Sequence, residues 1–291
     1  MSDKKTVIAL GYFDSVHKGH RLVMETARRF AEQNDADFVV FTFGGNLKAM
    51  LLGEQEKCVY SPLEREEMIK ELGADQVFFA PVTKEFLSKD KTEFLDYLNE
   101  KYNVLAYVSG SDYRFGKNGS GNVGFLDEYA KSKKQRFIKV EMLNFYNEKI
   151  STTRIKGLLA QGNISYANRL LGKNYFITGN VVRDRGVGKK LGFPTVNIKL
   201  EKDKFKLYSG VYKGRTTIDG KEYRAIINYG ARPTFSLEEK LVEAHVIDYD
   251  GDLYDRDITL VFDDFMRDIK KFENKEQLIE QLKIDIKSAR G

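Results

Sequence analysis

The sequence predicts an α/β domain with a doubly wound parallel sheet, then a small antiparallel six-stranded β-barrel with a C-terminal helix. Two observations carry this. From Thr6 to about Leu143, short apolar runs alternate with helical patterns, as in strand–helix–strand units. After Gly172 that alternation gives way to six strand-like runs separated by turns.

In the first half, residues 6–10, 37–43, 76–80, 104–109 and 137–143 read as strands, several of them continuous apolar runs suited to a buried parallel sheet. Residues 19–33, 62–72, 92–102 and 124–131 read as the helices between them. Ser61 as N-cap, Pro62 at the first helical position and Glu64 form a capping box that opens the second helix. Two more helical stretches, 152–161 and 165–171, close this half. The second half offers strands at 176–183, 195–200, 210–218, 223–228, 241–249 and 257–262, with Asp219-Gly220 and Asp250-Gly251 as tight turns. In the last stretch, 274–290, Asn274 and Gln277 make a capping-box variant. Ile279, Leu282, Ile286 and Ala289 form one apolar face, expected to pack on the barrel. The domains are expected at 1–170 and 173–291, with a short junction.

The chain has 291 residues, 48 Lys and Arg against 43 Asp and Glu, and a net charge of +5. With 42% hydrophobic and 12% aromatic residues, a largely disordered chain is excluded. No apolar run approaches the roughly 18–20 residues of a membrane span. The first apolar stretch, 7–10, is too short for a signal-peptide core. Cys58 is the one cysteine, which excludes a disulfide framework and a multi-cysteine zinc site. A cytoplasmic protein is expected, with no membrane and no nucleic-acid partner, because its basic residues are scattered. A positive cleft for a phosphorylated small molecule suits the mild excess of charge.

Gly11-Tyr12-Phe13-Asp14-Ser15-Val16-His17-Lys18-Gly19-His20 follows a strand and opens a helix. A helix N-terminus offers unpaired amides and the positive end of a dipole. Gly19 removes a side chain where a ligand would approach. His17 and His20, two of three histidines in the chain, can donate to phosphate oxygens as charge develops. This pattern resembles the nucleotidyltransferase superfamily, and specifically the N-terminal domain of bacterial bifunctional riboflavin kinase/FAD synthetases. Gly110-Ser111-Asp112-Tyr113-Arg114-Phe115-Gly116 is similar to that family's Gly-x-Asp-Phe-x-Phe-Gly loop, and Ile150-Ser151-Thr152-Thr153-Arg154-Ile155 to its Ile-Ser-Ser-Thr-x-Ile segment.

In the second half, Arg185-Gly186-Val187-Gly188-Lys189-Lys190-Leu191-Gly192-Phe193-Pro194-Thr195-Val196-Asn197 is a Gly-rich basic loop entering a strand. Strand alternation puts Thr195 and Asn197 on one face, a hydroxyl beside an amide oxygen, suited to Mg²⁺ on ATP phosphates. It resembles the family's riboflavin kinase motif Gly-x-Gly-x-x-Leu-Gly-x-Pro-Thr-Ala-Asn, with Val196 in place of alanine. Asn228-Tyr229-Gly230-Ala231-Arg232-Pro233-Thr234-Phe235 and Glu243-Ala244-His245 are similar to two further family segments.

The resemblance implies a bifunctional enzyme. Its C-terminal barrel would phosphorylate riboflavin with ATP to give FMN, with Glu243 as general base and Thr195 and Asn197 holding Mg²⁺ and ATP. Gly186, Gly188 and Lys189 would cradle phosphates. The N-terminal domain would adenylylate FMN to FAD. There His17 and His20 would be catalytic, and Phe13, Asp14, Gly19, Asp112, Lys149, Ser151, Thr152 and Arg154 would bind nucleotide and phosphate. Arg267 would border the flavin. ATP, riboflavin and FMN are the implied small-molecule partners, and a homo-oligomer stays open. The sequence departs from the family at Gly44-Gly45-Asn46, where a Pro-His-Pro-like stretch is usual, and at Ser15, where Gly-Val-His is common. A kinase with a silent N-terminal half, or a non-catalytic flavin sensor, are the alternatives.

Overall fold

A computed structural model describes residues 4–45, 57–183, 192–200, 203–230 and 241–290. The chain divides into two compact units, Met1–Thr152 and Thr153–Gly291.

The first unit is a five-stranded parallel sheet: β1 (Thr6–Leu10), β2 (Asp37–Phe43), β3 (Gln76–Ala80), β4 (Val104–Gly110) and β5 (Arg136–Val140), in the order β3-β2-β1-β4-β5. Every residue of β1 is buried, as a central strand covered on both faces requires. The helices are α1 (Lys18–Gln33), α2 (Pro62–Glu71), the single turn α3 (Lys84–Leu87), α4 (Lys91–Lys101) and α5 (Val123–Ser132). α1 turns Val23, Met24, Ala27 and Ala31 inward against β1 and β4. On the opposite side an aromatic cluster including Phe41, Phe86, Phe94 and Phe115 fills the core. The capping box at α2 is present: Ser61 Oγ accepts from the Glu64 amide, and Glu64 Oε2 accepts from the Ser61 amide at 2.8 Å. The expected strand at 137–143 ends earlier, at Val140. A two-stranded hairpin then follows, β6 (Asn144–Phe145) and β7 (Glu148–Lys149).

Sheet order reverses between β1 and β4, since β2 and β3 lie to one side and β4 and β5 to the other. The crevice at the carboxyl ends of those two strands is where such sheets bind ligands.

The second unit follows α6 (Thr152–Ala160) with α7 (Ile164–Leu171), which Gly172 ends at φ 75. Six antiparallel strands then close a barrel: β8 (Phe176–Val182), β9 (Val196–Lys199), β10 (Gly210–Ile218), β11 (Lys221–Tyr229), β12 (Leu241–Val246) and β13 (Asp257–Arg267). Their order is β10-β11-β12-β9-β8-β13. Asp219 and Gly220, at φ 50 and 78, make the tight β10–β11 turn that the dipeptide predicts. At the β10–β13 bulge, a Cβ on Gly214 would stand 2.2 Å from the Val261 carbonyl oxygen, so only glycine fits. β13 runs five residues past the expected end, to Arg267. Helix α8 (Lys275–Arg290) packs Ala289 and Ile286 against Val211, Ile226 and Ile247 of the barrel.

Candidate functional site

One cleft opens at the β1/β4 switch point. Phe13, His17, Gly19, His20, Asp112, Lys149, Ser151 and Thr152, eight of the residues singled out in the sequence, all line it. Three segments distant in sequence deliver them: the turn after β1, the loop after β4, and the hairpin leading into α6.

The turn after β1 is held in an unfavourable conformation. Phe13 and Val16 have φ values of 47 and 42, costly for an aromatic and especially for a β-branched residue. The surroundings tie down nearly every residue of the loop. The Tyr12 carbonyl accepts from Thr42 Oγ1 at 2.7 Å and from Arg65 at 3.2 Å. The Asp14 carboxylate, 1% exposed, accepts from the Val59 amide at 2.8 Å. Ser15 Oγ and Thr152 Oγ1 share a hydrogen bond of 2.8 Å. Arg21 Nε donates to the Val16 carbonyl at 3.1 Å. Such strain survives only where the surroundings over-determine it. Arg65, fully buried on α2, also donates to the Phe43 carbonyl at 2.8 Å and lies over the rings of Tyr12 and Phe79. It joins the carboxyl ends of β1 and β2, a role invisible in a helix whose sequence reads as polar surface.

His17 is the N-cap of α1. Its Nδ1 accepts from the His20 amide at 3.2 Å, so in the neutral ring the proton sits on Nε2. Burial lowers the His17 pKa to about 4. The two imidazoles stack with centroids 3.6 Å apart, and burial, then the charge of His17, holds His20 well below its usual range. Both rings are therefore neutral at pH 7, and His17 is held as a donor from Nε2. A Cβ on Gly19 would stand 3.1 Å from the His17 ring, so that glycine makes room for the imidazole as well as for a ligand. At the rim, Lys149 Nζ meets Asp112 Oδ2 at 2.6 Å. Both are half exposed, so the pair is worth at most about 1 kcal/mol and exchanges readily for an incoming anion. Asp14 and Arg154 are not among the lining residues. Asp14 braces the loop, and Arg154 in the second unit donates to the Tyr166 hydroxyl at 2.8 Å.

In the barrel, Thr195, Asn197 and Glu243 come together. Glu243 on β12 pairs in register with Asn197 on β9, and Thr195 Oγ1 donates to Glu243 Oε1 at 2.8 Å. Val242 and Ala244 on either side of Glu243 are fully buried in the core, which places the carboxylate on the opposite face of the strand. His245 Nδ1 lies 2.8 Å from the Pro194 carbonyl oxygen and its ring packs edge-on against Phe193. It thereby fixes the backbone just before Thr195, a role the Glu-x-His spacing alone does not reveal. Gly186, Gly188 and Lys189 lie outside the described residues, as do Asn46 and Ala231–Phe235 of the segments quoted above. Arg267 makes a forked ion pair with Asp285 of α8, at 2.7 Å for the shortest contact, with Asp285 only 3% exposed. Its guanidinium anchors the terminal helix. No group of three or more His, Cys, Asp or Glu is placed to hold a metal among the described residues.

Comparison with known proteins finds family matches for both units. The riboflavin kinase family profile matches residues 171–291 and the FAD synthetase profile residues 1–154. A Bacillus subtilis (strain 168) protein named bifunctional riboflavin kinase/FMN adenylyltransferase is 32% identical over 98% of this chain and 92% of its own. Its namesake in Listeria monocytogenes is 30% identical over 100% of this chain and 93% of its own. A solved Streptococcus pneumoniae structure, described as a macrolide-efflux protein, superposes with a TM-score of 0.91 at 30% identity, covering 100% of this chain and 95% of that one. No helix among the described residues is long and apolar enough to cross a membrane.

Proposed function

The chain belongs to the bifunctional riboflavin kinase/FMN adenylyltransferase family, and from that premise we propose how its two units divide the chemistry. The protein phosphorylates riboflavin to FMN with ATP and adenylylates FMN to FAD with release of pyrophosphate. The barrel carries the first reaction and the parallel-sheet unit the second.

In the adenylyl transfer, an FMN phosphate oxygen bonds to the α-phosphorus of ATP as the bond to the β-phosphate oxygen breaks. Nothing covalent is required of the protein, so positioning and charge stabilisation supply the catalysis. The observation that carries this reading is the preorganised His17–His20 pair at the N-terminus of α1, with His17 held as an Nε2–H donor. A neutral donor suits oxygens whose charge grows in the transition state. Lys149, Ser151 and Thr152 hold the remaining phosphates at the start of α6.

In the kinase, Glu243 takes the proton from the primary hydroxyl of riboflavin as that oxygen bonds to the γ-phosphorus and ADP leaves. Thr195 donates its one proton to Glu243, which leaves the hydroxyl lone pairs for another partner. Asn197, in register with Glu243 on the neighbouring strand, would add an amide oxygen, and hard oxygen donors of this kind fit Mg²⁺. Bound there with ATP, Mg²⁺ would neutralise phosphate charge. We assign the setting as cytosolic, where a chain with a single cysteine keeps it reduced.

Two substitutions test the division. Glu243→Ala should abolish FMN formation while FAD formation from supplied FMN persists, and His17→Ala should do the reverse. Loss of both activities in either variant would sink the two-site assignment. In an end-point assay with riboflavin and ATP, riboflavin should pass through FMN to FAD; FMN that accumulates without FAD would leave a kinase alone.

A further inference from the structure

The hairpin that leads into the first cleft carries an aromatic feature with no part in phosphate chemistry. β6 and β7 are joined by Tyr146 and Asn147, at φ 52 and 59. Tight turns of this kind need two left-handed residues, and asparagine suits them while a tyrosine does not. Tyr146 is also 74% exposed, the highest value among the large apolar side chains described. A ring kept at an unfavourable backbone position and left in solvent contributes little to packing.

Its chain neighbours place it beside the cleft, whose lining stops at Leu143 and resumes at Lys149. The Phe145 ring stands edge-on to it, with centroids 4.6 Å apart. Lys18, the first residue of α1, lies with its Nζ 5.9 Å over Phe145. Met142, Leu143 and Ile150, which flank the hairpin, and Lys149, the last residue of β7, line the cleft. A two-residue turn keeps Tyr146 within about 10 Å of Lys149, even with the chain fully extended.

We propose that Tyr146, braced by Phe145, is a stacking platform at the cleft mouth for a planar heteroaromatic ring, either the adenine of ATP or the isoalloxazine of FMN. The proposal rests on reading that cleft as the adenylyltransferase site. Each of its two substrates joins phosphate to a flat ring. Stacking holds a ring by its face without hydrogen bonds to its edges, which suits a solvent-exposed rim.

The chain contains no tryptophan, so Tyr146→Trp introduces a single indole fluorophore at the platform. Acrylamide quenching of its fluorescence lifetime is measured alone, with ATP and with FMN. Shielding by ATP identifies adenine and shielding by FMN identifies isoalloxazine; a quenching constant unchanged by both overturns the proposal. Tyr146→Asn supplies the kinetic arm. Asparagine suits the turn, so the hairpin keeps its stability while the ring is lost. The KM of the stacked substrate in FAD formation should then rise about five- to twentyfold, with FMN formation from riboflavin unchanged. Unaltered KM values for both ATP and FMN would overturn the platform. If the wild-type chain made no FAD at all, the adenylyltransferase reading would fail, and the tryptophan titration would still decide the platform.

Discussion

His17 shows how a single residue joins folding to chemistry. As N-cap it satisfies an amide of α1, and that same bond selects the tautomer that donates from Nε2. Its folded pKa of about 4 lies below the ordinary value of 6.5. Between those two values the unfolded chain binds a proton that the native ring does not, so stability falls as pH drops through this window and levels off below it. The loss attached to His17 is about 3 kcal/mol by acid linkage. His17→Gln should flatten the pH dependence of thermal unfolding of the first unit between pH 6.5 and 4. An equally steep decline in the variant would assign the acid sensitivity to other groups. FAD formation should show no loss near pH 6.5, because the neutral ring is already the working form there. That two histidines cluster at a strand–helix turn was legible in the sequence; that His17 caps the helix and stacks on His20 depends on the left-handed turns at Phe13 and Val16, which no propensity favours.

At the scale of elements, local signals were readable and long-range ties were not. The Ser61 capping box and the Asp219-Gly220 hairpin follow from short-range rules, and both form as expected. At α8, Asn274 accepts from the Gln277 amide at 2.9 Å, while the Gln277 side chain reaches back to the Glu273 amide instead of that of Asn274. The apolar face of this helix was also legible, but not the carboxylate within it. Asp285 belongs there because Arg267, at the end of an overlong β13, reaches it across the barrel surface. That tie bears on the role of Arg267, which the family resemblance sets beside the flavin. A buried, forked ion pair is strongly destabilising to break from one side, at about 3–5 kcal/mol. Asp285→Asn should therefore lower the unfolding temperature of the second unit, and at temperatures where it stays folded the KM for riboflavin should remain near wild type. A raised KM without loss of stability would instead mean that the arginine serves the flavin through the orientation Asp285 imposes.

At the scale of the whole molecule, the helix just before the barrel bears on what the second unit needs in order to fold. The sequence pattern alone groups residues 152–171 with the helices before them, because helical periodicity does not say which core a helix joins. α7 packs on β13 and buries Ile164, Ala167, Leu170 and Leu171. Its Asn168 is bound to the barrel at both ends of its amide: Nδ2 donates to the Phe262 carbonyl at 2.9 Å, and Oδ1 accepts from the Tyr175 amide at 2.7 Å. Removing this helix takes two hydrogen bonds from the barrel, each worth about 0.5–1.5 kcal/mol net once water replaces them, and uncovers apolar surface on β13. We therefore propose that the smallest competent kinase fragment begins before α7. Residues 162–291 should fold and form FMN from riboflavin. Residues 173–291 should unfold at a markedly lower temperature, although they retain Thr195, Asn197, Glu243 and the whole barrel. Equal unfolding temperatures and equal FMN formation by the two fragments would put the boundary at Gly172 and reduce α7 to a linker.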